Sequence, residues 1–249
     1  MKNFFFLLIL FLTLVNSGTT YAKPELSGST GSNLKLEVQS DQGGVGYLVV
    51  SDLGLSIDFK RLKTKFLILS PKLETIVENY SSKKYLKYTS SEFVKKFAKF
   101  NSGKTNNNSS VLNLNNFTVK PQATKESINS FKLKEYILFD NTTKRPSIKL
   151  FVINLPKNSS LKSLQLFYAA VMHLPSHLAN LGLPVRLEYY NLGIAKWVEL
   201  WNTLNVSVLD VKDKGKYYTI PKSYTLAKSD YTLLLNDETT EMLNNALDP

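Results

Sequence analysis

The sequence predicts a mainly β protein of the α+β class, built on an antiparallel sheet. Short runs rich in Val, Ile, Leu, Phe and Tyr recur from residue 46 onward, and turn residues separate them. Only two substantial segments have a clear helical period, and they do not alternate with the strands as βαβ units would. This pattern is typical of consecutive β-hairpins with a few added helices.

The N-terminus has the features of a secretory signal peptide over residues 1–22. Lys2 supplies the positive region, Phe4–Val15 is a short apolar run, and Ala22 completes a small-x-small cleavage site. The run is too short to span a bilayer comfortably, and the alternative is an uncleaved anchor. Because the chain has no cysteine for lipid attachment, we expect a cleaved periplasmic or secreted protein.

The mature chain is expected to be a flexible arm followed by one domain. Residues 23–45 are rich in Gly, Ser and other polar residues, with one strand-like run at Leu34–Val38. Residues 46–249 suit a single domain. The polar stretch 101–110 reads as an exposed connection, because strand patterns resume directly after it.

Alternating hydrophobicity predicts the buried face of individual strands, most clearly in the run Leu55–Phe59. Its first, third and fifth residues are apolar, and they would face the core. The polar residues between them, Ser56 and Asp58, would face solvent, as is common for antiparallel sheets.

A first helix is predicted directly after the sixth strand-like run. Thr89 and Glu92 have the spacing of a capping box, in which each side chain satisfies a backbone N–H of the first turn. Phe93, Phe97 and Phe100 then recur at helical spacing. The pattern indicates a short amphipathic helix that lies with its phenylalanines on the sheet.

A second helix is predicted at Ser159–Leu174, capped by Asn158 or Ser159 and ended by Pro175. The segment 194–211 fits both a helical and an alternating period in its front half. Its back half has strand composition, so we favour one long strand.

The inventory of reactive side chains favours a protein that is not an enzyme. The absence of cysteine excludes thiol catalysis and Cys-zinc sites. His173 and His177 are the only histidines, and Pro175 lies between them, so no metal site and no cofactor are predicted. A hydrolase with two carboxylates that meet only in the fold is left open, because sequence spacing does not reveal such a pair.

The formal charge of +11 favours anionic partners. An anionic membrane or envelope surface is one possible partner, and the alternative, which we favour from the sequence, is a basic surface that serves only solubility. Nucleic acid is not expected, because the chain is expected outside the cytoplasm. The lysines are scattered along the chain, so the sequence identifies no single basic site. The oligomeric state is left open.

The abundant aromatic residues suggest a site for an apolar ligand. Most of the Tyr and Phe side chains are explained by core packing, but some could line a concave site for a lipid or another apolar small molecule. The ligand-binding candidates are Trp197, Trp201 and Tyr168.

Two parts of the sequence resemble the fold of the periplasmic lipoprotein carriers LolA and LolB. Residues 65–93 contain apolar strands and a Lys-Tyr pair before a helix, and residues 181–188 have a G-apolar-Pro-apolar-basic pattern. Residues 218–224 resemble the closing F-x-I-P-x-G-Y motif, with Tyr for Phe and Ser for Gly. The resemblance implies a strongly curved antiparallel sheet or half-barrel, with two or three helices packed on its concave side and no catalytic residues.

These observations predict an extracytoplasmic, non-catalytic binding protein that holds a lipid or other apolar ligand in the concavity of a curved sheet. The alternative is a structural or interaction protein of the cell envelope, whose basic surface binds an acidic polymer or a protein partner. A fully packed interface between sheet and helices would favour the alternative.

Overall fold

The structure is a computed structural model, and it describes residues 33–41, 43–97, 117–230 and 233. The predicted signal peptide, the polar stretch 101–110 and Phe100 lie outside the described residues. The described strands are β1 (Asn33–Ser40), β2 (Gly44–Ser51), β3 (Gly54–Phe59), β4 (Thr64–Leu69), β5 (Glu74–Asn79), β6 (Lys84–Tyr88), β7 (Phe117–Gln122), β8 (Ser127–Ile128), β9 (Phe131–Lys132), β10 (Lys134–Asp140), β11 (Pro146–Ile153), β12 (Leu183–Asn191), β13 (Lys196–Leu209) and β14 (Thr225–Leu226). The helices are α1 (Ser90–Phe97), α2 (Leu161–Ala170) and two short 3-10 helices, Ser176–Leu181 and Lys214–Tyr217.

Twelve of these strands form one open sheet in the order β14-β6-β5-β4-β3-β2-β1-β13-β12-β11-β10-β7. Each neighbouring pair is antiparallel except β14 and β6, which are parallel. The prediction of a mainly β fold with an antiparallel sheet and a few helices is therefore confirmed. The segment 194–211 contains one long strand, β13, as the back half of its pattern indicates.

The expected flexible arm at residues 23–45 is wrong from residue 33 onward. Residues 33–40 form β1, which pairs with β2 on one side and with β13 on the other. Leu34, Leu36 and Val38 are buried in the core. The arm prediction failed because β1 is stabilised by pairing with β13, far away in the sequence, and composition gives no sign of that pairing.

The sheet curves around its helices. In a flat sheet β4 and β12 would lie about 24 Å apart, since neighbouring strands are spaced by about 4.8 Å. Nevertheless α2 packs against β3 and β4, and its Tyr168 donates a hydrogen bond to the carbonyl of Gly182, directly before β12 (3.0 Å). One short helix reaches both halves of the sheet because the sheet bends around it.

Both helices begin at capping side chains. The predicted capping box of α1 is present: the Glu92 backbone N–H donates to Thr89 Oγ1 (3.3 Å) and the Thr89 N–H donates to Glu92 Oε2 (2.9 Å). For α2 the cap is Ser160, which accepts from the Ser163 N–H, and the helix ends at Ala170. The predicted bounds Ser159–Leu174 were therefore wrong by two residues at the start and by four at the end, and the cap is the residue after the predicted candidates Asn158 and Ser159.

The outer face of β2–β5 is covered by the segment 210–224, here called the C-terminal strap. The Tyr218 hydroxyl lies within hydrogen-bond distance of the carbonyls of Val49 (3.2 Å) and Gly54 (3.0 Å), and the strap then continues into β14, beside β6. Ser56 is only 2% exposed as a result. The expectation that Ser56 faces solvent was wrong, because alternation along one strand does not reveal a distant segment that covers it.

Candidate functional site

Two of the three ligand-binding candidates lie in the packed core. Trp201 is 3% exposed, and its ring makes edge contacts with Phe59 and Phe167, at centroid distances of 6.3 and 5.8 Å. Tyr168 is fully buried and donates its hydroxyl hydrogen bond to Gly182. These contacts are those of core side chains, so at both positions protein atoms fill the concave side of the sheet.

Trp197 lies on the opposite, outer face and is separate from the other two candidates. It is half-buried, its ring packs at 5.3 Å against Tyr190, and the Lys149 ammonium lies 4.4 Å above its centroid. The three candidates therefore do not form one site. Periodicity did not separate them because an irregularity in the β12–β13 pairing puts Trp197 and Trp201, four residues apart, on different faces.

The two histidines do not form a site with other ligands in the part of the chain that the structure describes. No group of three or more His, Cys, Asp or Glu side chains close enough to hold a metal ion occurs among these residues. His173 is a half-buried residue with a positive φ of 54°, three residues after the end of α2. Burial lowers the pKa of its imidazole and thereby favours the neutral form.

A row of polar side chains crosses the outer face beneath the strap and brings two carboxylates near each other. Asp58, Lys65 and Glu78 are directly opposite one another on β3, β4 and β5. Lys65 Nζ lies 3.7 Å from Glu78 Oε1, and the Glu78 side chain is 1% exposed. Burial raises the pKa of Glu78, and the Lys65 charge opposes that effect.

This row has the residue types of an acid–base pair but lacks access for a substrate. The two carboxylates are two strand spacings apart, about 10 Å between backbones, and a lysine stands between them. Tyr224 of the strap is close enough to Glu78 and Asp58 for their charges to raise its pKa, although burial is the main cause. The row therefore lies beside the strap, with the charge of Glu78 opposed by that of Lys65.

A different feature of the fold brings basic side chains together at the surface, at one end of the sheet. The turns at this end, together with the strand residues that flank the last two, are here called the loop end, and they comprise the described residues of 41–43, 60–63, 80–83, 140–146 and 191–196. A backbone bond joins two of these turns, since Tyr80 N–H donates to Lys63 O (2.8 Å), and another joins the β1–β2 turn to β13, since Asp41 N–H donates to Leu200 O (3.1 Å). Arg61 Nη1 donates to Asp41 O (3.4 Å). These bonds connect the β1–β2, β3–β4 and β5–β6 turns, and the other two turns lie at the same end of the sheet.

The loop end is strongly basic. Its described turns contain seven exposed cations, which are Lys60, Arg61, Lys63, Lys83, Lys144, Arg145 and Lys196. They contain two carboxylates, Asp41 and Asp140. Asp140 accepts backbone hydrogen bonds from Thr142 (2.6 Å) and Thr143 (3.1 Å), so it serves to fold its own turn. The excess of positive charge creates an attractive potential for anions.

An open depression with a volume of about 400 Å³ lies at the same end. It is lined by Arg145, Pro146, Tyr190, Leu192 and Ala195, between the β10–β11 turn and the β12–β13 turn. It therefore combines a guanidinium group with an aromatic ring and an aliphatic side chain. That combination suits an amphiphile with an anionic head.

The sequence did not single out the loop end. The cations are dispersed over 137 positions of the chain, from Lys60 to Lys196, and only the strand register brings their turns to one edge. A signal is present in the turns themselves, because Arg61-Leu62-Lys63 puts an aliphatic side chain between two cations at a hairpin tip.

No family model and no curated protein matches this chain. A solved structure of PNGF-II is similar to it with a TM-score of 0.41 and 10% sequence identity, over 82% of this chain and 32% of the PNGF-II chain. This chain thus spans about a third of that structure's length, and a likeness of this size carries no argument about function. Within the described residues no helix is long and apolar enough to cross a membrane.

Proposed function

We propose that this protein is an extracytoplasmic, non-catalytic binding protein that attaches to an anionic surface through its loop end. The observation that supports this proposal is the concentration of seven exposed cations and only two carboxylates in the described turns at one end of the sheet. The proposal follows the second of the two functions that the sequence suggests. The first, a ligand in the concavity, gains no support from Tyr168 and Trp201, which pack against protein.

Charge at the surface acts by lowering the free energy of the bound state and by speeding encounter with an anion. The cations are exposed, so their attraction is screened by salt over a Debye length of about 8 Å at physiological ionic strength. Binding should therefore weaken steeply as salt is added.

The experiment compares two variants with the same change in net charge. Lys63, Lys144 and Lys196 are replaced by Glu at the loop end. In the control, the exposed residues Lys72, Lys157 and Lys162 at the opposite end are replaced by Glu. Binding to immobilised dextran sulfate is measured over a range of salt concentrations.

We expect the loop-end variant to lose most of its binding and the control to keep most of it. Equal losses in the two variants would show that net charge alone drives binding, and they would contradict a defined site. Unchanged binding in the loop-end variant would contradict the proposal as well.

A further inference from the structure

The tips of the loop end expose aliphatic side chains that no neighbouring segment of the described structure covers. Leu62 is 47% exposed, Leu192 is 60% exposed and Ile194 is 58% exposed. Leu62 lies in a turn with Lys60, Arg61 and Lys63, and Leu192 and Ile194 lie in the turn directly before Lys196. Large aliphatic side chains that are exposed together at one end of a protein commonly mark an interaction site.

The β12–β13 hairpin carries its aliphatic residues beyond the adjacent strand. The pairing of β1 with β13 ends at Trp201, whereas β12 pairs with β13 as far as Lys196. The five residues 196–200 therefore extend past β1 by about 16 Å, at about 3.3 Å per residue. Leu192 and Ile194 are at the far end of this projection.

Side chains of mixed character lie directly behind the tips. Trp197 packs against Tyr190, and Lys149 lies over the Trp197 ring. Trp and Tyr are favoured at the boundary between hydrocarbon and water, and lysine and arginine side chains place their charge among lipid head groups while their stems stay in apolar surroundings.

From this arrangement we propose that the surface bound by the loop end is an anionic phospholipid bilayer, into which Leu62, Leu192 and Ile194 insert. The inference rests on the proposed function and names its partner. A soluble polyanion would neutralise the cations but would offer no hydrocarbon to the three aliphatic tips. A bilayer accommodates both, because apolar side chains reach the acyl region while surrounding cations meet the head groups.

The test separates insertion from charge by using neutral substitutions in the full chain. Leu192 and Ile194 are replaced by Ser, which leaves the net charge unchanged. In the control, Leu161 and Val211 are replaced by Ser. Both are exposed aliphatic residues at the opposite end (40% and 65% exposed). Binding is measured by co-sedimentation with vesicles of phosphatidylcholine containing phosphatidylglycerol, and separately with dextran sulfate.

We expect Leu192→Ser/Ile194→Ser to weaken vesicle binding about tenfold or more, since two aliphatic side chains no longer enter hydrocarbon. Dextran sulfate binding and the control variant should change by less than about twofold, since neither involves hydrocarbon contact at the loop end. Each variant is compared with the parent chain, so any contribution of residues 1–22 is common to all. Leu62→Ser, in a separate turn, repeats the measurement if the double variant folds poorly.

The outcomes distinguish the two proposals. If vesicle binding is unaffected by the serine variants but is lost with Lys63, Lys144 and Lys196 replaced by Glu, insertion is overturned and anionic-surface binding stands. If the serine variants lose vesicle and dextran sulfate binding equally, insertion is also overturned. If the parent chain binds neither vesicles nor dextran sulfate, both proposals fail.

Discussion

Trp201 and Trp197 form a natural pair for testing whether the concave side of the sheet is packed or holds a ligand. They lie on the same strand, four residues apart, on opposite faces. Trp201 contacts Phe59 and Phe167 and is 3% exposed, whereas Trp197 is half-buried between Tyr190 and Lys149. Replacing each by Ala removes the same atoms from two different environments.

The expected loss of stability follows from those environments. Trp201→Ala removes a fully buried ring and leaves a cavity, which costs about 3–5 kcal/mol. Trp197→Ala removes one aromatic contact and one cation–π contact, which together cost about 1–2 kcal/mol. For a domain of this size the first change should lower Tm by roughly 10 °C, and the second by a few degrees.

Urea unfolding followed by far-UV circular dichroism measures both losses, and native mass spectrometry of the parent chain reports any lipid that co-purifies. The reasoning predicts a large difference between the two tryptophans and no lipid whose loss accompanies Trp201→Ala. A Trp201→Ala variant that keeps nearly full stability but loses a co-purifying lipid would refute the packed-core account. It would restore the prediction of a ligand in the concavity.

Three further changes test individual contacts. Tyr218→Phe should destabilise the protein by about 1–2 kcal/mol and speed hydrogen exchange in the strap, because buried polar groups lose their partner. The control is Tyr217→Phe, at the end of the adjacent 3-10 helix, and equal effects of the two changes would contradict the role of the Tyr218 hydroxyl in holding the strap. Because burial holds the pKa of Glu78 above its ordinary value, the native state binds its proton more tightly than the unfolded state does, and the contribution of this group to stability falls as pH rises through the native pKa. Urea midpoints from pH 4 upward should therefore show wild type losing stability relative to Glu78→Gln, and a relative gain would contradict the assigned direction. Thr89→Ala should cost about 1 kcal/mol through loss of the α1 cap; Thr89→Ser should recover most of it in the same assay, and an unstable Ser variant would show that the cap is not the cause.

Local signals in the sequence predicted local structure well. The alternation in Leu55–Phe59 identifies its buried face, and the Thr89–Glu92 spacing identifies the start of α1. Both features depend on contacts between residues that are close in the sequence, so the local sequence pattern is sufficient to predict them. The end of α2 was harder, because the backbone leaves the helical region at His173, with a φ of 54°, before the predicted end of the helix.

Contacts between distant segments were not predicted. β1 is a central strand because it pairs with β13, with Leu36 opposite Val206. Ser56 is buried only because Tyr218, far along the chain, anchors the strap beside it. A periodic pattern can indicate that a segment is a strand, but it does not show which distant segment pairs with it or covers it.

The location of the candidate site also depends on contacts between distant segments. The abundance of aromatic residues suggested a ligand site, but Trp201 and Tyr168 are core residues and Trp197 lies elsewhere. The basic character of the chain was evident from composition, yet the register of the sheet decides that Lys63 and Lys196 lie at the same end. Composition suggested an anionic partner, and the fold shows which basic side chains lie at one end of the sheet.

Hydrogen–deuterium exchange of the protein with and without vesicles containing phosphatidylglycerol tests the central claim most directly. The account predicts that bound vesicles slow exchange in the turns 60–63, 140–146 and 191–196, while the turn 70–73 at the opposite end is unchanged. Protection confined to the opposite end, or to the helices on the concave side, in a sample that binds vesicles would contradict the assignment of the loop end as the binding surface.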